Sequence, residues 1–176
     1  MSMLKIPVRA EDHVQGDDNA ECTLVEYGDY QCPHCGRAYP IVKRVQKHFG
    51  KRLRFVFRNF PLNEIHPQAE SAAETAEFAS TQNKYWEMHD ALFENQSRFS
   101  PSFFPELAQK LGLDPAALKD ALAKEEFKAH VRSDFMSGAR SGVNGTPTFF
   151  INGQRLDGPW DYEDLVDAIG GALAAA

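Results

Sequence analysis

Cys32 and Cys35, three residues apart in Tyr30-Gln31-Cys32-Pro33-His34-Cys35, are the residues of this chain best suited to chemistry. That spacing lets two sulfurs cycle between a dithiol and a disulfide, and the thiolate is the nucleophile in such exchange. The setting favours a thiolate at the first sulfur. Thr23 to Tyr27 is a β-branched, apolar run that reads as a strand, while Val42, Val45 and Phe49 beyond the motif share one helical face. Cys32 then stands where strand gives way to helix. Pro33 suits the first helical position, and the free N–H groups and positive dipole end of the helix face the Cys32 sulfur. His34 is either a cation that adds to this field or a surface imidazole with no part in it.

Zinc is the rival use of such a pair. A structural zinc site takes four ligands, commonly two Cys-x-x-Cys pairs or one pair with closely spaced histidines. The third cysteine here is Cys22, and His34, His48, His66 and His89 show no His-x(3–5)-His spacing. No metal and no cofactor is therefore expected, and Cys22, on a strand face with Leu24, is expected to be an inert core thiol.

The chain has 176 residues, 43% of them hydrophobic, enough for one domain with a substantial core. With a net charge of -6 and no basic run, neither nucleic acid nor an anionic membrane surface is an expected partner. No window is long and apolar enough to span a bilayer, and Met1 to Pro7 lacks the apolar region of a secretory signal. A cytoplasmic monomer is expected if Met1 is the native start, and a periplasmic or otherwise extracytoplasmic one if a signal peptide has been removed. An odd number of cysteines argues against a disulfide-stapled secreted scaffold.

The remaining segments must position the pair. Residues 1–20 are polar and aperiodic, with a turn at Gly16 to Asn19, and are expected to lie over a sheet edge. Period two places Cys22, Leu24 and Glu26 on one face of the first core strand, so Glu26 sits in apolar company. It is a paired charge, a proton acceptor or a side chain turned to water, and Arg58 is a candidate partner. The motif helix should run from Pro33 to Phe49 with a kink at Pro40, and Leu53, Phe55 and Phe57 of the following strand should face inward. Strand, helix, strand is a βαβ unit with parallel strands.

From Pro67 to Gly142 the pattern is helical, with starts expected at Pro67, Ser100-Pro101 and Asp114-Pro115. The stripe of Tyr85, Met88, His89, Leu92 and Phe93 reads as packing, and His66 lies nearer the site. Asn152-Gly153 between apolar runs predicts a hairpin, and Asp161 caps a final helix lined by Leu165, Ile169 and Leu173.

Cys32-Pro33-His34-Cys35, Pro40 in the same helix, the long helical block and Gly145-Thr146-Pro147 before the hairpin resemble the DsbA-like branch of the thioredoxin superfamily. The likeness extends to Phe60-Pro61-Leu62 and to Trp86 through Asp90. It implies an α/β thioredoxin fold, with core at about 12–62 and 143–176 and a helical insertion at about 63–142, all in one domain. It also implies thiol-disulfide oxidoreductase activity on protein thiols and disulfides, through Cys32 and Cys35, with an unidentified redox recycling partner. In that family the proline matching Pro147 is cis against the cysteine pair, the residue matching Thr146 offers its backbone to substrate, and the position of Glu26 holds a buried acid beneath the disulfide. Redox-inert or zinc-holding binding on the same fold, and glutathione-dependent transfer or isomerisation, are the alternatives. The paired Cys35 argues against the last, which needs no resolving thiol.

Overall fold

The computed structural model describes residues 2–176; Met1, on which the expectation about location turns, lies outside the described residues. One sheet has the order β1-β3-β2-β4-β5, formed by His13–Gln15, Cys22–Gly28, Leu53–Asn59, Thr148–Ile151 and Gln154–Arg155 as β1 to β5. β2 and β3 are parallel and joined by α1 (Pro33–Phe49), which runs as one helix through the exposed Pro40. Five helices follow β3: α2 (Ala69–Ser80), α3 (Tyr85–Glu94), α4 (Phe103–Lys110), α5 (Pro115–Ala123) and α6 (Lys128–Arg140). The β4–β5 hairpin and α7 (Tyr162–Ala175) close the chain, with Asp161 and Asp164 forming a reciprocal cap at the start of α7. This is the α/β thioredoxin-type arrangement, with the helical block between the βαβ unit and the hairpin.

Alternation along β2 and β3 builds two cores. Leu24, Leu53, Phe55 and Phe57 join Ala38, Val42 and Val45 of α1 and Leu165 and Ile169 of α7 on one face. Val25, Tyr27 and Val56 join Phe60, Phe150 and Phe135 of α6 on the other. Both faces are covered, which is why β2 and β3 read as nearly continuous apolar runs.

Three elements depart from the expected pattern. His13–Gln15 is not merely laid over the edge but pairs antiparallel with Phe55–Phe57 as a short edge strand. Pro67 stands in a turn, and α2 begins at Ala69. α4 begins at Phe103 rather than Pro101, with Ser100 Oγ accepting from the Phe103 N–H at 3.2 Å.

The pairing of Glu26 with Arg58 is overturned. Glu26 stands opposite Phe57 across the parallel register, so period two sends Arg58 to the other face of the sheet. There all five guanidinium N–H groups are used: on Asp12 (2.9 and 2.8 Å), the Ile6 and Pro7 carbonyls and the Tyr27 hydroxyl (2.8 Å each). Arg58 therefore anchors the N-terminal segment.

Candidate active site

Cys32 is the N-cap residue of α1, with extended backbone angles, and Pro33 holds the first helical position. Its missing N–H leaves the His34 and Cys35 amides as the first free donors of the helix. Both cysteines are free and buried, whereas the Pro33 and His34 side chains are exposed. The Thr146-Pro147 peptide bond is cis, and the Thr146 carbonyl accepts from Cys32 Sγ at 3.7 Å, bringing a residue 114 positions away against the reactive sulfur.

The two sulfurs have opposite protonation tendencies. The hydrogen bond from the Cys35 thiol, the largest cause, lowers the Cys32 pKa to about 5 against the opposing effect of burial, assisted by Thr146 and the backbone N–H groups of Cys35 and His34. The Thr146 hydroxyl has no other partner, so it is free to donate to a thiolate. His34 thus contributes its backbone amide. Burial pushes the Cys35 thiol well above the ordinary range, and its donated hydrogen bond to Cys32 and the nearby Glu26 and Cys32 charges push the same way. One sulfur is thereby set up to attack and to leave, while the other holds its proton.

Glu26 is 2% exposed and its Oε1 has no hydrogen-bond partner. Desolvation, then the Cys32 thiolate, push its pKa up to about 8. Gly28 makes room for it, since a Cβ there would come within 2.5 Å of the Phe57 ring and 3.1 Å of Glu26 Oε1. Of the environments open to this carboxyl, burial without a counter-charge among the described residues is the one present.

Two residues that no spacing rule singles out hold the turn that carries the motif. Asp29, 1% exposed, accepts through Oδ1 from the N–H groups of Gln31 (2.7 Å) and Cys32 (3.2 Å). Its Oδ2 accepts from the Leu62 N–H (2.9 Å) and lies 2.7 Å from His66 Nδ1, while its own N–H donates to Cys35 Sγ at 3.4 Å. From the short 3-10 turn at Gln96–Arg98, Gln96 Nε2 donates to the carbonyls of Tyr30 (2.8 Å) and Cys32 (2.9 Å). A side chain at Gly36 would collide with Gln96 Oε1. An acid three residues before the first cysteine and a glycine just after the second are the sequence signals that could have pointed to this clamp. His89, in contrast, is buried beside Tyr30, whose hydroxyl lies 2.8 Å from its Nδ1, and desolvation holds its pKa well below the usual imidazole range.

Sheet order, the strand-to-helix position of the cysteines and the loop that meets them before β4 place the molecule in the thioredoxin class. The family model described as Thioredoxin matches residues 9–170. The chain belongs to that family. It is similar to BdbD from Bacillus subtilis in its oxidised form: 27% identical, TM-score 0.88, covering 98% of each chain. A thioredoxin-like oxidoreductase from Silicibacter pomeroyi is 28% identical, with a TM-score of 0.81 over 96% of this chain and 95% of the other. In sequence it is also similar to Na(+)/H(+) antiporter NhaA 3 of Salinispora tropica, at 40% identity over 98% of this chain and 26% of that protein. The chain spans about a quarter of the length of the curated relatives it matches.

Proposed function

We propose that the chain exchanges disulfides with protein thiols through Cys32 and Cys35, and that it works as an oxidant. In the oxidised protein a substrate thiolate attacks Cys32 Sγ, the Cys32–Cys35 bond breaks, and Cys35 leaves as a thiolate and takes a proton. A second substrate thiolate then attacks the substrate sulfur of the mixed disulfide, releasing Cys32 as a thiolate and the substrate as a disulfide. The observation that carries this reading is the contrast between the sulfurs: Cys32 lowered to about 5 and Cys35 raised. At pH 7 a thiol two pH units above its pKa stabilises the reduced protein by at most about 2.7 kcal/mol, or about 60 mV toward oxidising potential. Water at the open side of the site screens part of this.

Glu26 is the proton carrier for Cys35 in this scheme. Cys32 in a mixed disulfide carries no charge, so one of the two causes that raise the Glu26 pKa disappears in the intermediate. The carboxylate is then more available when the pair is reoxidised, as Cys35 gives up its proton to attack the mixed disulfide that Cys32 forms with the recycling partner. Thr146 and Pro147 form the wall along which an extended substrate segment lies, with Thr146 offering its backbone. Partners are protein thiols and a redox protein that reoxidises the pair. The setting is an oxidising compartment outside the cytoplasm, where such an oxidant has use. Among the described residues, no helix is long and apolar enough to cross a membrane.

Trapping tests the assignment. Cys35→Ala accumulates mixed disulfides with disulfide-containing protein substrates, whose S–S bond the Cys32 thiolate attacks and no Cys35 thiol then resolves, and Cys32→Ala accumulates none; equal trapping by both variants would refute the division of roles.

A further inference from the structure

A second cluster of reactive side chains lies away from the cysteines, where β1, α2 and α6 meet. Nε2 of His13 on β1 is 2.8 and 3.0 Å from the two carboxylate oxygens of Glu77 on α2. From α6, His130 Nε2 is 3.4 Å from Glu77 Oε1 and 3.7 Å from Asp134 Oδ2. One donor atom from each of His13, Glu77 and His130 lies within 4.8 Å of the other two. Asn59 joins the carboxylates, its Nδ2 donating at 3.0 Å to both Glu77 and Asp134 and its backbone N–H donating to Asp134 at 3.0 Å.

The charge balance of this cluster is unusual. The Glu77 and Asp134 side chains are 4% and 3% exposed, yet among the described residues neither is ion-paired with a lysine or arginine. Asn59 supplies donors without charge, and the arginine that reaches this end of β3, Arg58, is committed to Asp12. Two buried carboxylates facing two imidazoles, without a permanent cation, would be costly in an apolar interior. Asp12 and Arg58 show the alternative solution a few residues away.

We propose that His13, Glu77 and His130 bind a divalent transition cation of the zinc class, with Asp134 as the outer carboxylate that balances its second charge. Two imidazole nitrogens and one carboxylate oxygen are a donor set suited to zinc, cobalt or nickel, whereas calcium and magnesium call for oxygen alone. Zinc bonds of about 2.0–2.1 Å place tetrahedral donors about 3.3 Å apart. His13 and Glu77, at 2.8–3.0 Å, must therefore open slightly, whereas His130 at 3.4 Å from Glu77 is already in place. The two imidazoles, within 4.8 Å of each other, settle to that spacing. His130, with 30% of its side chain exposed, has the freedom to do so. His13 is the more fixed ligand, its ring stacked on Tyr85 with centroids 3.5 Å apart. A bound cation would pin the three-residue edge strand to α2 and α6. The ligands come from positions 13, 77 and 130, so no short-spacing motif reveals them.

The test uses the full chain in its oxidised form, where the Cys32–Cys35 disulfide cannot chelate. Zinc is titrated against a chromophoric chelator, and thermal unfolding is followed with zinc, calcium and magnesium in turn. The expected result is one zinc per chain, a higher melting temperature with zinc alone, and at least tenfold weaker zinc binding in His130→Ala and in His13→Ala. His130→Ala is the primary variant, because a histidine with 30% of its side chain exposed on α6 can be removed without disturbing the sheet. Cobalt loading should give visible absorption without a thiolate charge-transfer band, and it should persist in the Cys32→Ala/Cys35→Ala double variant, so the outcome is independent of the redox proposal. Zinc affinity unchanged in His130→Ala, equal stabilisation by calcium or magnesium, a thiolate band, or no binding would each overturn the proposal.

Discussion

Glu26 and Arg58 stand one register step apart on neighbouring strands, both buried, yet they are treated in opposite ways. Every N–H of Arg58 has an acceptor and its charge is matched by Asp12. Among the described residues Glu26 has an orphaned oxygen and no cation, with the two sulfurs as its electrostatic neighbours. A buried charge that only holds a fold together is surrounded until it is satisfied. In the proposed exchange, a buried acid left unsatisfied beside the thiol pair is a group held ready to change its protonation state, the destabilisation it causes being tolerated where chemistry needs it.

Breaking the satisfied side of this comparison should have the largest effect. Arg58→Ala leaves Asp12 buried without its cation and frees the N-terminal segment, so denaturant unfolding should show a loss of about 3–5 kcal/mol. Cys32 reactivity should change little in the fraction that stays folded. A loss under 1 kcal/mol would mean that the Arg58 network is not the anchor described.

Glu26→Gln should behave in reverse. A folded pKa of about 8 against 4.5 means that the folded chain keeps a proton that the unfolded chain releases, so wild-type stability is full below about pH 4.5 and declines as pH rises toward 8. Within that window each pH unit is worth about 1.36 kcal/mol at most. The variant should match wild type near pH 4 and be the more stable protein at pH 8 by unfolding free energy. It should also resolve mixed disulfides through Cys35 about a hundredfold more slowly, the low end for a lost proton acceptor. Parallel stability curves and unchanged resolution would assign Glu26 to packing alone.

The Asp29 and Gln96 clamp sharpens the contrast more gently, since it fixes geometry rather than charge. Gln96→Ala removes two hydrogen bonds to the motif turn, each worth about 0.5–1.5 kcal/mol, and should lower the melting temperature while changing Cys32 alkylation less than tenfold. A larger change in alkylation than in stability would show that Gln96 acts on the thiolate itself.

How much of this was legible in the sequence follows the range of each interaction. The motif at a strand-helix junction, the hairpin at Asn152-Gly153 and the final helix behind Asp161 are specified by neighbours within a few residues, and local rules find them. Arg58 does not pair with Glu26 because parity, not closeness along the strand, decides the face: period two places Phe57, not Arg58, on the Glu26 side. β1 is three residues long and gains its strand identity only from pairing with β3. Asp29 reaches Leu62 and His66, and Gln96 reaches back 64 residues to Cys32, so their roles arise from the packing of the helical block on the redox turn. By its type His34 is open to either a cationic or an idle role; in the structure its side chain is exposed and its backbone amide helps lower the Cys32 pKa.

The most direct test of the central claim is the pH dependence of Cys32 alkylation in the reduced protein, followed by mass at Cys32, Cys35 and Cys22 separately. The expected result is a midpoint near pH 5 at Cys32, with Cys35 and the buried Cys22 unreactive through neutral pH. A Cys32 midpoint near the ordinary thiol value of about 8.5, or alkylation of Cys35 alongside it, would contradict the division of the pair into a poised thiolate and a protonated reserve.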